Sequence, residues 1–151
     1  MSRIHGLNTN MFYKNLREQG AELLKPLNIE QLENSFNIYN LNGDFASFYQ
    51  NTNGLIYESF RVLPFYDANN TKKTWDSFEK ANADKSKFSL ERSVKNNFLV
   101  FAEIGSRHCG LYQKNNGSLW FEDDNGFHQT DMNLGEFIIA CIKEQNRKEY
   151  A

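Results

Sequence analysis

The sequence predicts an α+β fold, a single domain over residues 1–151 in which an antiparallel meander is flanked by N-terminal and C-terminal helices. Three observations carry this. Apolar residues recur at helical spacing before about residue 52 and again after residue 133. Between about 60 and 130 they gather in short blocks of strand length. The later blocks end in turn chemistry, Asn115-Asn116-Gly117 and Asp124-Asn125-Gly126. Helices at both ends of a consecutive meander make a mixed fold with an antiparallel sheet.

The elements follow in order. Residues 10–19 read as a helix, with Phe12 and Leu16 four apart and Gly20 placed to stop it. Pro26 separates this from a second helix, which Asn28 can cap, with Gln31 three residues later. Ile29, Leu32 and Phe36 form its apolar stripe. A third helix covers residues 43–51, with Phe45, Phe48 and Tyr49 on one face. Asn53-Gly54 ends it, since both residues tolerate the left-handed conformation.

The period then changes. Residues 60–65 suit a strand reaching a turn at Pro64, and residues 71–82 read as one helix with Trp75, Phe78 and Glu79 at helical spacing. Residues 84–95 fit a loop or a short helix. The run Phe98-Leu99-Val100-Phe101-Ala102 is apolar throughout, as in a strand buried on both faces. Residues 110–113 and 119–121 form a hairpin, and 127–130 add one more strand. In the last helix, Asn133 caps and Glu136 closes a capping box. Leu134, Phe137, Ile138, Cys141 and Ile142 share one stripe, expected to be buried with Leu99 and Phe101.

Composition narrows the function classes. A chain of 151 residues with 40% hydrophobic residues can bury a real core. The 13 Phe and 7 Tyr predict a core packed from rings. A net charge of -2 argues against direct nucleic-acid binding, which needs a basic footprint. Charge is nonetheless uneven. Residues 72–95 hold seven Lys/Arg against four Asp/Glu, and residues 96–136 hold two against six. The two stretches read as two solvated faces or, alternatively, the second as an acidic face that steers a basic partner. Two cysteines, Cys109 and Cys141, are too few for a secreted disulfide framework. The opening residues carry no apolar run of signal-peptide length, and no stretch approaches the roughly 18 apolar residues of a membrane helix. The expected compartment is the cytoplasm, so Asn69-Asn70-Thr71 and Asn116-Gly117-Ser118 read as turns rather than glycosylation sites.

The stretch Leu41-Asn42-Gly43-Asp44-Phe45-Ala46-Ser47-Phe48-Tyr49, followed by Asn51-Thr52-Asn53-Gly54, resembles the signature of the SUKH superfamily. In that family a Leu-Pro pair opens a short helix with an acidic-aromatic pair and a Phe, and Asn-Gly-Gly then reverses the chain. Here Leu41, Asp44, Phe45, Phe48, Asn53 and Gly54 are kept, while Asn42 replaces the Pro and Leu55 the second Gly. The family order also holds for an aromatic segment ending in Trp75, a strand at 98–104, a hairpin ending Leu119-Trp120-Phe121-Glu122-Asp123-Asp124, and a final amphipathic helix. The resemblance covers about residues 28–146. It implies an α+β scaffold that binds other proteins without chemistry of its own, either a bacterial immunity protein against a toxin or a regulator of cell-wall glucan synthesis. Read from the residues alone, the motif is mainly a folding device: Leu41, Phe45 and Phe48 supply apolar bulk, and Asp44 sits in a first turn, where the helix dipole favours a carboxylate.

A search for chemistry leaves no catalytic, cofactor or metal assignment. His108 and Cys109 are adjacent in a strand, where neighbours point to opposite faces and make a poor dyad. His5, His108 and His128 lack metal-ligand spacing. Gly105-Ser106-Arg107 is no nucleophile elbow, and the nearby glycines form no phosphate loop. Glu122-Asp123-Asp124, with Asp131 nearby, lacks the spacing of a Ca²⁺ loop. These carboxylates read first as a solvated hairpin turn; the alternative is a candidate contact for a basic protein partner at Trp120, Glu122, Asp123 and Asp124, with Trp120 and Phe121 as aromatic anchors. The expected function is therefore a non-catalytic protein-binding module. An enzyme or small-ligand protein would need a pocket with convergent polar groups, and no such set stands out.

Overall fold

The computed structural model describes residues 10–41, 43–83, 97–105 and 108–149. Helix α1 (Asn10–Glu18) leads to a two-residue strand β1 (Glu22–Leu23), then α2 (Ile29–Tyr39) and α3 (Gly43–Asn51). Strands β2 (Leu55–Tyr57) and β3 (Phe60–Val62) follow. A 3-10 turn at Ala68–Asn70 runs into the short helices α4 (Thr71–Thr74) and α5 (Phe78–Ala83). Then come β4 (Phe98–Ile104), β5 (His108–Gln113), β6 (Leu119–Asp123), β7 (Gly126–Gln129) and the long helix α6 (Leu134–Glu149). The seven strands pair antiparallel in strict sequence order, so the expected meander is present. It begins earlier than residue 60, because β1 and β2 add two short strands whose length gives almost no periodic signal.

Chain ends of helices follow local chemistry. Gly20, at φ +102°, closes α1: its N–H reaches Arg17 C=O and the Ala21 N–H reaches Leu16 C=O, both at 3.0 Å. Asn28 caps α2 by accepting from the Gln31 N–H at 2.9 Å. Asn133 and Glu136 form the reciprocal box that opens α6, at 2.9 and 3.0 Å.

Register assigns the two sheet faces. Leu99, Tyr112 and Leu119 lie opposite one another on one face, while Val100, Leu111 and Trp120 share the other. Phe101, two residues after Leu99, points to the first face, and a bulge between Val100 and Ala102 brings Ala102, opposite Gly110, to that face as well. There the Phe101 ring meets Phe45 of α3 and Phe137 of α6, each at 5.2 Å. Gly110 has no room for a side chain at this point, since a Cβ would come within 3.0 Å of Phe101, Ala102 and Phe137. Leu99, Phe101, Phe137 and Ile138 are buried in this core, with Cys141 half-buried at its margin. Helix α5 extends the edge of β4 beyond β3: Asn82 accepts from the Val100 N–H at 2.7 Å and donates to its C=O at 2.9 Å.

Three expectations need correction. Ile29 is on the α2 stripe but 72% exposed; the stripe begins at Leu32 and is extended at the other end by Tyr39, which meets Phe78 and Phe65. Residues 71–82 are not one helix. The chain breaks at Trp75–Ser77, where the Phe78 N–H bonds Pro64 C=O at 2.7 Å, and Trp75 is left 62% exposed beneath the Lys80 ammonium. Asn53 does not adopt the left-handed conformation; only Gly54 does, at φ +114°. Residues 84–95, together with His5, Asn42 and Ser106-Arg107, lie outside the described residues.

Candidate functional site

The signature residues assemble into a buried corner. Phe45 and Phe48 are fully buried on α3, and Leu41 packs half-buried beside them. Asp44 occupies the first turn of α3, as the helix dipole favours. Beyond α3, Thr52 Oγ1 lies 2.7 Å from Leu24 C=O and 2.8 Å from Gly54 C=O and donates between them. Asn53 binds the backbone of Phe65. At Gly54 a Cβ would sit 2.9 Å from Val62 C=O and 3.2 Å from Pro64. Leu55, in place of a second glycine, is fully buried as the first residue of β2. These contacts are all intramolecular and pin the reversal to β1 and β3. Tyr49, next to Phe48, donates to Leu63 C=O, and burial pushes its hydroxyl pKa far above the ordinary range.

The acidic residues occupy the last hairpin. Glu122 stands opposite Cys109 and Phe127, on the Trp120 face of the sheet. Asp123 points to the other face, where its Oδ1 accepts from the Asn125 N–H at 2.8 Å and lies 2.9 Å from His128 Nε2. The His128 contact and then the Asn125 N–H hold its pKa below the usual carboxylate range. Asp124 is exposed at the tip, and Asp131 is exposed just past β7. The three consecutive carboxylates therefore fan out around one edge rather than converge on one face. That rules out a compact chelating group and leaves a diffuse negative field. The pairing of Asp123 with His128 went unread in the sequence. The available signal was their separation of five across a two-residue turn, which puts such residues diagonal on one face.

Trp120 is half-buried. Its ring meets Phe98 at 5.1 Å, its Nε1 donates to Ser118 Oγ at 2.8 Å, and Phe98 also meets Phe127 at 5.2 Å. It ties the hairpin to β4 and remains partly exposed. His108 packs edge-on to Phe121 at 5.6 Å. It stands opposite Ile104, whereas Cys109 stands opposite Glu103, so the two side chains leave β5 on opposite faces. Burial, reinforced by Glu144, pushes the Cys141 thiol up to about 12. No group of three or more metal-ligating side chains gathers among the described residues.

Two shallow depressions open elsewhere. One, of about 490 Å³, is lined by Met11, Tyr13, Lys14, Arg17 and Asn51. The other, of about 480 Å³, lies along the polar side of α2 from Asn28 to Asn37. The first borders the signature corner through Asn51 and through Tyr13, whose ring meets Phe48 at 6.4 Å, and neither is lined by a residue of the acidic hairpin. Among the described residues, no helix is long and apolar enough to cross a membrane.

Comparison with known proteins gives no match to a family model, to a curated protein or to a solved structure.

Proposed function

We propose that this protein is a non-catalytic binding module that captures a basic protein partner at the β6–β7 hairpin. We further propose that the partner is a bacterial toxin, which the protein neutralises in the cytoplasm as an immunity protein. The observation that carries the binding reading is the gathering of Glu122, Asp123, Asp124 and Asp131 around the terminal hairpin of the sheet. Within this set Asp124 and Asp131 are exposed and make no ion pair among the described residues. Folding does not need so much like charge in one place, whereas capture of a cationic surface does. Toxins that attack nucleic acid carry such surfaces because their substrate is a polyanion. The immunity role rests on the SUKH resemblance, which the buried corner at Phe45, Phe48, Asn53 and Gly54 supports. Inhibition would be steric, with the acidic edge raising the rate of encounter.

The test is co-expression with the C-terminal domain of a toxin encoded beside this gene. The proposal expects restored growth and co-purification of the two chains. Growth arrest that persists, with no complex formed, would overturn it. A neighbourhood of glucan-synthesis enzymes, one of which binds the protein, would favour the regulatory role instead.

A further inference from the structure

We infer that the partner binds by adding a strand to the outer edge of β7, and that this strand carries a basic residue at each end. The inference rests on the protein-binding reading above and specifies its geometry. Among the described residues strand β7 pairs only with β6, and its other side forms an edge of the sheet. The Thr130 N–H bonds Leu119 C=O at 3.0 Å, which fixes the alternation of the ladder. Gly126, His128 and Thr130 turn their backbone groups toward β6, and Phe127 and Gln129 turn theirs outward. Edges of this kind are usually blunted by a proline, a lysine, a bulge or extreme shortness. The far edge, β1, is only two residues long. Strand β7 has four residues, an unbroken register, and neither proline nor lysine.

What flanks this edge selects the occupant. Asp124 lies in the two-residue turn before the strand and Asp131 just after it, so the two carboxylates flank the edge at its two ends. A second copy of this protein, paired antiparallel along β7, would set the Asp124 of one chain near the Asp131 of the other at both ends. Like charges so placed oppose self-association. An extended segment with a lysine or arginine at each end meets the same two carboxylates favourably. The two carboxylates thus discourage the homodimer and recruit a basic strand. Backbone pairing would supply affinity and the terminal charges selectivity.

The probe is a synthetic octapeptide with lysine at both ends and alternating threonine and valine between. A glutamate-ended version and a version with methylated backbone nitrogens serve as controls. Titrated into the full chain at low salt, the lysine peptide should shift the amide signals of Phe127 and Gln129 first and bind about tenfold or more tighter than the glutamate peptide. Backbone methylation should abolish binding. Gln129→Pro, which removes an outward N–H while sparing the β6 ladder, should weaken it by about tenfold or more. The double variant Asp124→Lys with Asp131→Lys should invert the preference between peptides, and it decides the matter with the methylated peptide if Gln129→Pro does not fold. A lysine peptide that fails to bind at millimolar concentration, binds elsewhere, or binds equally well when methylated would overturn strand addition. The two proposals fail separately. A toxin complex indifferent to Gln129→Pro removes strand addition alone, whereas peptide capture at β7 without any toxin complex removes the immunity role alone.

Discussion

Asn53 holds Phe65 by both of its backbone polar groups: Nδ2 donates to Phe65 C=O at 2.8 Å, and Oδ1 accepts from the Phe65 N–H at 3.0 Å. The side-chain amide thus acts as one more rung of a ladder, in a site that water does not reach. Asn53→Ala would strand two buried backbone groups. We predict a loss of about 2–4 kcal/mol, from two hydrogen bonds plus the cost of leaving their partners unsatisfied. Urea denaturation measures it, and a loss below about 0.5 kcal/mol would mean that the clamp is idle.

Gly54 and Gly43 bracket α3 and should respond in opposite ways. At Gly54 the backbone is left-handed and a Cβ would press on Val62 C=O. Gly54→Ala should destabilise by about 2 kcal/mol or more. At Gly43 nothing lies within 4 Å of the added carbon. Gly43→Ala should be neutral or stabilise by up to about 1 kcal/mol. Equal thermal shifts in the two variants would contradict this account of the reversal.

Phe137 anchors α6 against Phe101 over the gap left by Gly110. Truncation to Ala should cost about 3–5 kcal/mol, the usual range for a large core ring. A cost under about 1 kcal/mol would place α6 off the sheet.

Much of this was legible in the sequence because strong periodicity and capping chemistry agree with the tertiary packing. The stripe of α6, its Asn133–Glu136 box, the buried run of β4 and both later hairpins fall into this class. Trp75 shows where such reading stops. Helical spacing from 71 to 82 is real, but the tertiary bond from the Phe78 N–H to Pro64 C=O breaks the helix there. The strands β1 and β2 were invisible because two or three residues carry no period. The acidic site was legible as composition but not as geometry. Its fan-like spread depends on the β6–β7 register, and the hold of His128 on Asp123 depends on a diagonal contact.

That contact makes a pH prediction. The His128 ring and the Asn125 N–H hold the Asp123 pKa below its ordinary value. A depressed carboxyl pKa adds stability that is fully present above the unfolded value and is lost as pH falls through the folded one. His128→Ala should raise the Asp123 titration toward the ordinary range, as read by NMR of its carboxyl carbon. A titration that does not move would show that His128 leaves Asp123 unaffected.

The central claim is electrostatic capture at the β6–β7 edge. Its most direct test is the association rate with the proposed toxin partner, followed across a salt series, for the unaltered protein and for a variant carrying Glu122→Gln, Asp123→Asn and Asp124→Asn. The account predicts that the variant associates about tenfold more slowly at low salt, and that the two proteins converge as salt screens the field. Identical association rates at every salt concentration would contradict it.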